Sequence, residues 1–243
     1  MARLEVVPFS DEHLDGAAGL LAARHARHRE TETLLPARYE DPAAAREEVE
    51  RLWRAEGASG AAGLRGGRLV GYLFGARRKE PIWGENTWVE AGGHAVEDAG
   101  DVRDLYGFAA ARWVEEGNPR HWALVPAHDA AVLDAWWRVS FGQQHAHGIQ
   151  EVPAQTEVRV PEGFEIREPR EEEIEELIDV DLALPSHQLR SPVFGGHGEV
   201  TRDDSRDEWL KTFAAGEEKI LIGARDGRPV ACWAFVPAEE SRE

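Results

Sequence analysis

The sequence predicts an α/β protein built from two copies of one unit, the second of them cut off half-way. Two observations carry that reading. First, segments match at a constant offset of 160 residues: LEVVPF from Leu4 answers FEIREP from Phe164, and GGRLVGYLFGA sets Arg68 where DGRPVACWAFVPA sets Arg228. An offset kept over more than 60 residues is hard to produce by chance. Second, each copy shows one order of hydrophobic patterns: strand, helix, helix, strand, turn, strand.

The elements follow in turn. Leu14, Ala17, Ala18 and Leu21 share one helical face, with Ser10 available as N-cap, and Ile174, Leu177 and Ile178 occupy the same place in the acidic second copy, REEEIEELIDV. Asp41 followed by Pro42 reads as an N-cap and first helical residue, ahead of Val49, Leu52 and Trp53 on one face. Thr201 is the corresponding cap, with Trp209 and Phe213 on the buried face. Each copy then has a hairpin signal, RGGR and RDGR, between apolar strands. The first copy continues. Thr87 to Val96 (TWVEAGGHAV) reads as a strand with a glycine pair inside it, and Val102, Leu105, Tyr106, Ala109 and Trp113 line a helix. HWALV, Asp129 to Arg138, and HAHGIQEV then read as strand, helix, strand. The expected organisation is a complete first domain over 1–152, a linker over 153–163 (PAQTEVRVPEG, polar with two prolines), and the N-terminal half of a second domain over 164–243. By the offset, the next strand of the second copy starts near position 247.

Composition narrows the function. The 42% apolar fraction and nine tryptophans support a real core. No run of about 18 apolar residues predicts a membrane span, and no basic segment followed by an apolar one marks a secretion signal. The single cysteine, Cys232, lies in the apolar run PVACWAFV and reads as a small core residue; with one cysteine no internal disulfide forms, which suits a cytoplasmic location. The net charge of −18 repels nucleic-acid phosphate and anionic lipid, so neither nucleic acid nor membrane is an expected partner. The same acidity mildly favours a cationic partner such as an amine, although solubility alone also accounts for it.

This order of elements resembles the GNAT (GCN5-related) N-acetyltransferases, a mixed, mostly antiparallel sheet flanked by helices, over essentially the whole chain: one full acyl-CoA N-acyltransferase fold, then the front half of another. The ending AAVLDAWWRVSFG is the more specific part, similar to the family's last helix running into a Gly-Phe strand start, with Ser140 in place of the glycine and Phe141 kept. The resemblance implies acetyl-CoA as cofactor, lying where the fourth strand bulges and splays from the fifth. It also implies an Arg/Gln-x-x-Gly-x-Gly/Ala loop whose backbone N–H groups hold the pyrophosphate at a helix start.

Here that loop reads VEDAGDVRDLY. The candidate cofactor-binding residues are Val96, Gly100, Val102 and Arg103, with Glu97 at the Arg/Gln position and Val102 at the second glycine. Glu97, Asp98 and Asp101 bring negative charge to a diphosphate site. One such pair at ~4 Å costs roughly 4 kcal/mol at an effective dielectric of ~20, about three powers of ten in affinity, which Arg103 offsets in part. The first copy is therefore expected to bind CoA weakly or not at all, the stretch serving as a capped helix start. The family's thiolate-protonating tyrosine falls on Trp136, which has no proton to give and reads as packing. Glu90 is the candidate general base, with His94 beside it; an exposed strand face also carries such residues.

His145 with His147, and His25 with His28, have spacings that begin a metal site without completing one, so no metal is assigned. Gly195, Gly196 and Gly198 lie between the second copy's helices, where the family often shapes the acceptor pocket, or form a plain flexible loop. Two functions remain. One is transfer of an acetyl group from acetyl-CoA to a small amine or peptide by the full-length protein, with the working site in the second copy. The other is a non-catalytic binding or regulatory module. An unfinished second sheet, with PVACWAFV as an apolar edge, makes a homodimer through that edge a further expectation.

Overall fold

Short apolar stretches punctuated by glycine turns alternate with longer helical ones, and the chain folds accordingly. The computed structural model describes residues 3–80, 84–151, 159–188, 190, 200–215 and 219–235. It divides into two units, residues 1–79 with 85–152, and residues 153–243 with 80–84.

In the first unit, β1 (Glu5–Pro8) leads through a 3-10 turn (Asp11–His13) into α1 (Leu14–Thr31) and α2 (Pro42–Trp53). Ser10 precedes the turn, its main-chain N–H donating to His13 Nδ1 at 3.0 Å, so it heads the 3-10 turn and His13 stands at the N-cap of α1; the Asp41 carboxylate accepts from the Ala43 N–H with Pro42 at the helix start, as expected of that cap. The hairpin of β2 (Ser59–Arg65) and β3 (Arg68–Glu80) turns at Gly66 and Gly67, φ +59° and +79°, the left-handed pair that a type I′ turn demands.

The stretch read as one strand over Thr87 to Val96 is two: β4 (Gly84–Val89), a 3-10 turn (Ala91–Gly93), and β5 (His94–Val96). The glycine pair makes the break. A Cβ on Gly93 would stand 2.7 Å from the Phe74 carbonyl oxygen, so only glycine lets the chain lie this close to β3 there. Then come α3 (Val102–Glu115), β6 (His121–Ala123), shorter than the expected HWALV, and α4 (Ala130–Arg138) capped by Asp129. The strand expected over 145–152 is not formed in residues 145–151. Its alternating small and polar residues bring little apolar surface to bury, and Ile149 is left exposed.

The sheet order is β1-β2-β3-β4-β6, with β5 paired to β3. The β1–β2, β2–β3 and β3–β5 pairs are antiparallel and β4–β6 is parallel. The sheet is mixed and carries a core on each face. Phe9, Leu21, Val49, Tyr72 and Phe74 pack with α1 and α2, while Leu73, Val89, Leu105, Trp113 and Trp136 pack with α3 and α4.

The second unit comprises β7 (Phe164–Arg167), α5 (Ile174–Gln188), α6 (Arg202–Ala215), β8 (Lys219–Arg225) and β9 (Arg228–Phe235), in an antiparallel sheet ordered β7-β8-β9. Thr201 caps α6, its hydroxyl accepting from the Asp204 N–H. Its pairings mirror the first unit: Glu5 lies opposite Leu64 and Glu165 opposite Ala224, and the register slips at Gly63/Leu64 and again at Gly223/Ala224. The core is Leu177, Ile178, Trp209 and Ile222. Residues 152–158, most of the expected linker, and Gly195, Gly196 and Gly198 lie outside the described residues.

Candidate functional site

In the first unit, β4 and β6 are paired up to Val89, and the chains that continue from them part beyond it. Thr87, Trp88 and Val89 pair with His121, Trp122 and Ala123, and the Leu124 N–H donates to the Val89 carbonyl at 2.9 Å. Beyond Val89 the 3-10 turn bulges the chain, and β5 continues along β3, which already neighbours β4, pairing with Gly71, Tyr72 and Leu73. The chain after β6 has no such partner in β5, and the two diverge.

His94 spans the divergence. Its Nε2 lies 2.9 Å from the Leu124 carbonyl. A carbonyl only accepts, so Nε2 carries the proton. Burial pushes the imidazole down to about 3, and it is neutral at neutral pH. Trp136 closes the same space from α4, its ring 5.3 Å from the His94 ring in an edge-on contact and 4.8 Å from Phe141. From the other side, Arg24 of α1 donates Nη1 to the His94 carbonyl.

The turn between β5 and α3 is held by its own side chains. The Asp98 carboxylate accepts from the Gly100 N–H at 2.8 Å, which takes up the donor that a pyrophosphate would use. Asp101 forms two bonds with Arg65, at 2.8 and 2.6 Å, and Glu97 forms two with Arg68, at 2.5 and 2.8 Å. The acids therefore do not stand as bare negative charge. Arg68 holds the Glu97 carboxyl below the usual range, while burial pushes Asp101 up despite Arg65. Acetyl-CoA does not fit this arrangement: the loop donor is occupied, and the passage between β5 and β6 is crossed by the His94–Leu124 bond.

The residues singled out in the sequence fall as follows. Val96 ends β5 and Val102 begins α3, both in the core; Gly100 sits between them in the turn, and Arg103 is exposed. Glu90 follows β4 and is ion-paired with Arg78. His94, at about 3, is too weak a base for neutral pH. Trp136 is buried packing. His25 donates Nε2 to the Pro36 carbonyl at 2.7 Å, and His28 stacks on His128. His145 and His147 lie in irregular chain, so they no longer share a strand face. No group of three metal-ligating side chains occurs among the described residues. Cys232 is half-buried against the second unit's core, and burial pushes its thiol up. No helix among the described residues is long and apolar enough to cross a membrane.

Sequence reasoning misses the roles of Arg24, Arg65, Arg68 and His128. Asp98-x-Gly100 is a local capping pattern and is legible. The Arg65 and Arg68 pairings join residues 36 and 29 apart and carry no local signal.

No family model matches the chain, and no curated protein matches it. Among solved structures, it is similar to the aminoglycoside N-acetyltransferase AAC(6')-Iy in complex with CoA, at 12% identity and TM-score 0.45 over 63% of this chain and 96% of that one. It is similar to a ribosomal-protein-alanine N-acetyltransferase from Brucella melitensis, at 15% identity and TM-score 0.44 over 62% of this chain and 100% of that one. A GCN5-related N-acetyltransferase from Ralstonia eutropha is similar at 13% identity and TM-score 0.45, over 61% of this chain and 99% of that one.

Proposed function

We propose that this protein is of the GNAT N-acetyltransferase lineage, transfers an acetyl group from acetyl-CoA to an amine, and does so outside its first unit. The observation that supports the lineage is the bulged strand that leaves its parallel neighbour after Val89, followed by a turn into a helix. The first unit is then a scaffold whose cofactor slot is closed by Asp98, His94 and Trp136. The working site belongs to the second copy, whose described strands β7, β8 and β9 answer β1, β2 and β3. A small amine or peptide is the acceptor.

A second reading has its own support. The closed slot equally suits a non-catalytic module that has kept the fold and lost the cofactor.

Calorimetric titration with acetyl-CoA separates the expectations. The unaltered chain should bind it more weakly than about 100 μM. Asp98→Gly frees the Gly100 N–H and removes one charge, so affinity should rise on the order of tenfold if the slot is a closed cofactor site. A low-micromolar dissociation constant in the unaltered chain, lost on substitution within 97–103, sinks the closed-slot reading. Absence of acetyl-CoA turnover against an amine panel sinks the transferase reading and leaves the binding module.

A further inference from the structure

Beside the splay lies a cavity of about 10 Å³ whose lining includes Arg24, Arg27, His94, His128 and Asp129. Two of the lining residues carry buried polar atoms without partners among the described residues: Arg24 Nε and both ring nitrogens of His128. Arg24 is 9% exposed. Its Nη1 donates to the His94 carbonyl, and the groups acting on its charge are Tyr72, which is un-ionised, and Arg27, which repels it. A buried cation whose direct partner is a carbonyl is costly to keep. A buried donor without a partner marks a place where something is bound. Arg27, one turn further along α1, stands at the rim, its Nη1 donating to the Ala23 carbonyl at 3.2 Å.

We propose that Arg24 and His128 form a binding site for a monovalent carboxylate, with Arg27 at its entrance. The chemistry selects the ligand. The Arg24 Nε–H donates to one carboxylate oxygen, and the N–H of neutral His128 donates to the other. His128 is held in place by His28, their rings stacked at 4.3 Å and 16°. Burial pushes both histidines down, so neither adds a positive charge. One buried charge then meets one negative charge. A dianion would leave an excess charge beside Asp129, whose carboxylate already caps α4 through the Ala131 and Val132 N–H groups. The cavity holds about one water-sized group, enough for the inner oxygen, while the outer oxygen and the rest of the molecule face Arg27. The overall acidity of the chain suggests cationic partners; this site has the opposite preference, because local burial and not net charge sets what binds. The inference does not rest on acetyl transfer.

Side-chain proton–nitrogen spectra of the full chain test it, with sodium acetate, sodium chloride and sodium phosphate titrated in parallel. Acetate should shift the Arg24 Nε–H and His128 ring signals saturably, with chloride and phosphate about tenfold weaker or more. Arg24→Gln should abolish the response. Arg27→Gln, at a rim position where folding is not at stake, should weaken acetate binding about threefold. No saturable response to acetate, an equal response to chloride, tighter binding of phosphate, or a response that survives Arg24→Gln would each overturn the proposal.

Discussion

The two units start from one plan and differ in what covers the sheet. Leu73 of β3 is 1% exposed and Trp233, its counterpart in β9, is 44% exposed; Val70 is 1% exposed and Val230 51%. The face toward α1 and α2 is alike in both, with Ala17 and Ala18 answered by Leu177 and Ile178, all buried, and Val49 answered by Trp209. The opposite face of the first unit is closed by α3 and α4, through Leu105, Trp113 and Trp136. In the first unit, burial of that second face depends on the elements that follow the hairpin. Those same following elements, β5, α3, β6 and α4, are the ones that build the splay, so closing the core and shaping the site are one event.

The largest expected break in the comparison is at the paired positions. Leu73→Ala should cost about 3 kcal/mol through lost burial and a cavity, whereas Trp233→Ala, at an exposed position, should change stability by less than about 1 kcal/mol. Hydrogen exchange resolved by unit reads both. Equal losses would show that the β9 face is covered in solution.

Acid separates the units next. The His94 imidazole is pushed from the usual 6.5 to about 3 by burial, so below pH 6.5 the unfolded chain takes up a proton that the folded chain refuses. Stability of the first unit is full above pH 6.5 and falls toward pH 3, by up to ~1.4 kcal/mol per pH unit for this group. In the second unit, Arg167 and Arg170 hold the Glu173 carboxyl well below its usual 4.5, so the stability it contributes is present above pH 4.5 and lost below it. Urea midpoints followed by unit across pH should show the first softening earlier, and His94→Gln should flatten its slope between pH 6.5 and 4.5. An unchanged slope in that variant would remove His94 as the cause.

The smallest effect concerns backbone strain. Ser140, at the end of α4, has φ +73°, and Asp226, in the second hairpin, has φ +50°. Ser140→Gly should stabilise by about 1 kcal/mol by removing the Cβ clash, net of the extra freedom glycine gives the unfolded chain. Asp226→Gly should gain less, because aspartate tolerates the left-handed region. Thermal midpoints of the two variants rank them.

The sequence alone determined what is local or repetitive. The Asp41 and Thr201 caps, the helix faces around Val49 and Trp209, and both glycine hairpins are set by neighbours within a few residues, so pattern and turn chemistry suffice. Ser140 in a glycine's place was legible too, and it does adopt the glycine-like backbone. Only the tertiary structure decided the rest. The break at Gly92 and Gly93 depends on the close approach to β3 at Phe74, and Asp101 and Glu97 are paired with Arg65 and Arg68 from the preceding hairpin. Arg24 becomes a buried, under-paired cation only because α1 lies against β5 and meets the loop before α4. Those outcomes come from contacts between residues far apart in the chain, where burial and low dielectric set the energies that periodicity cannot report.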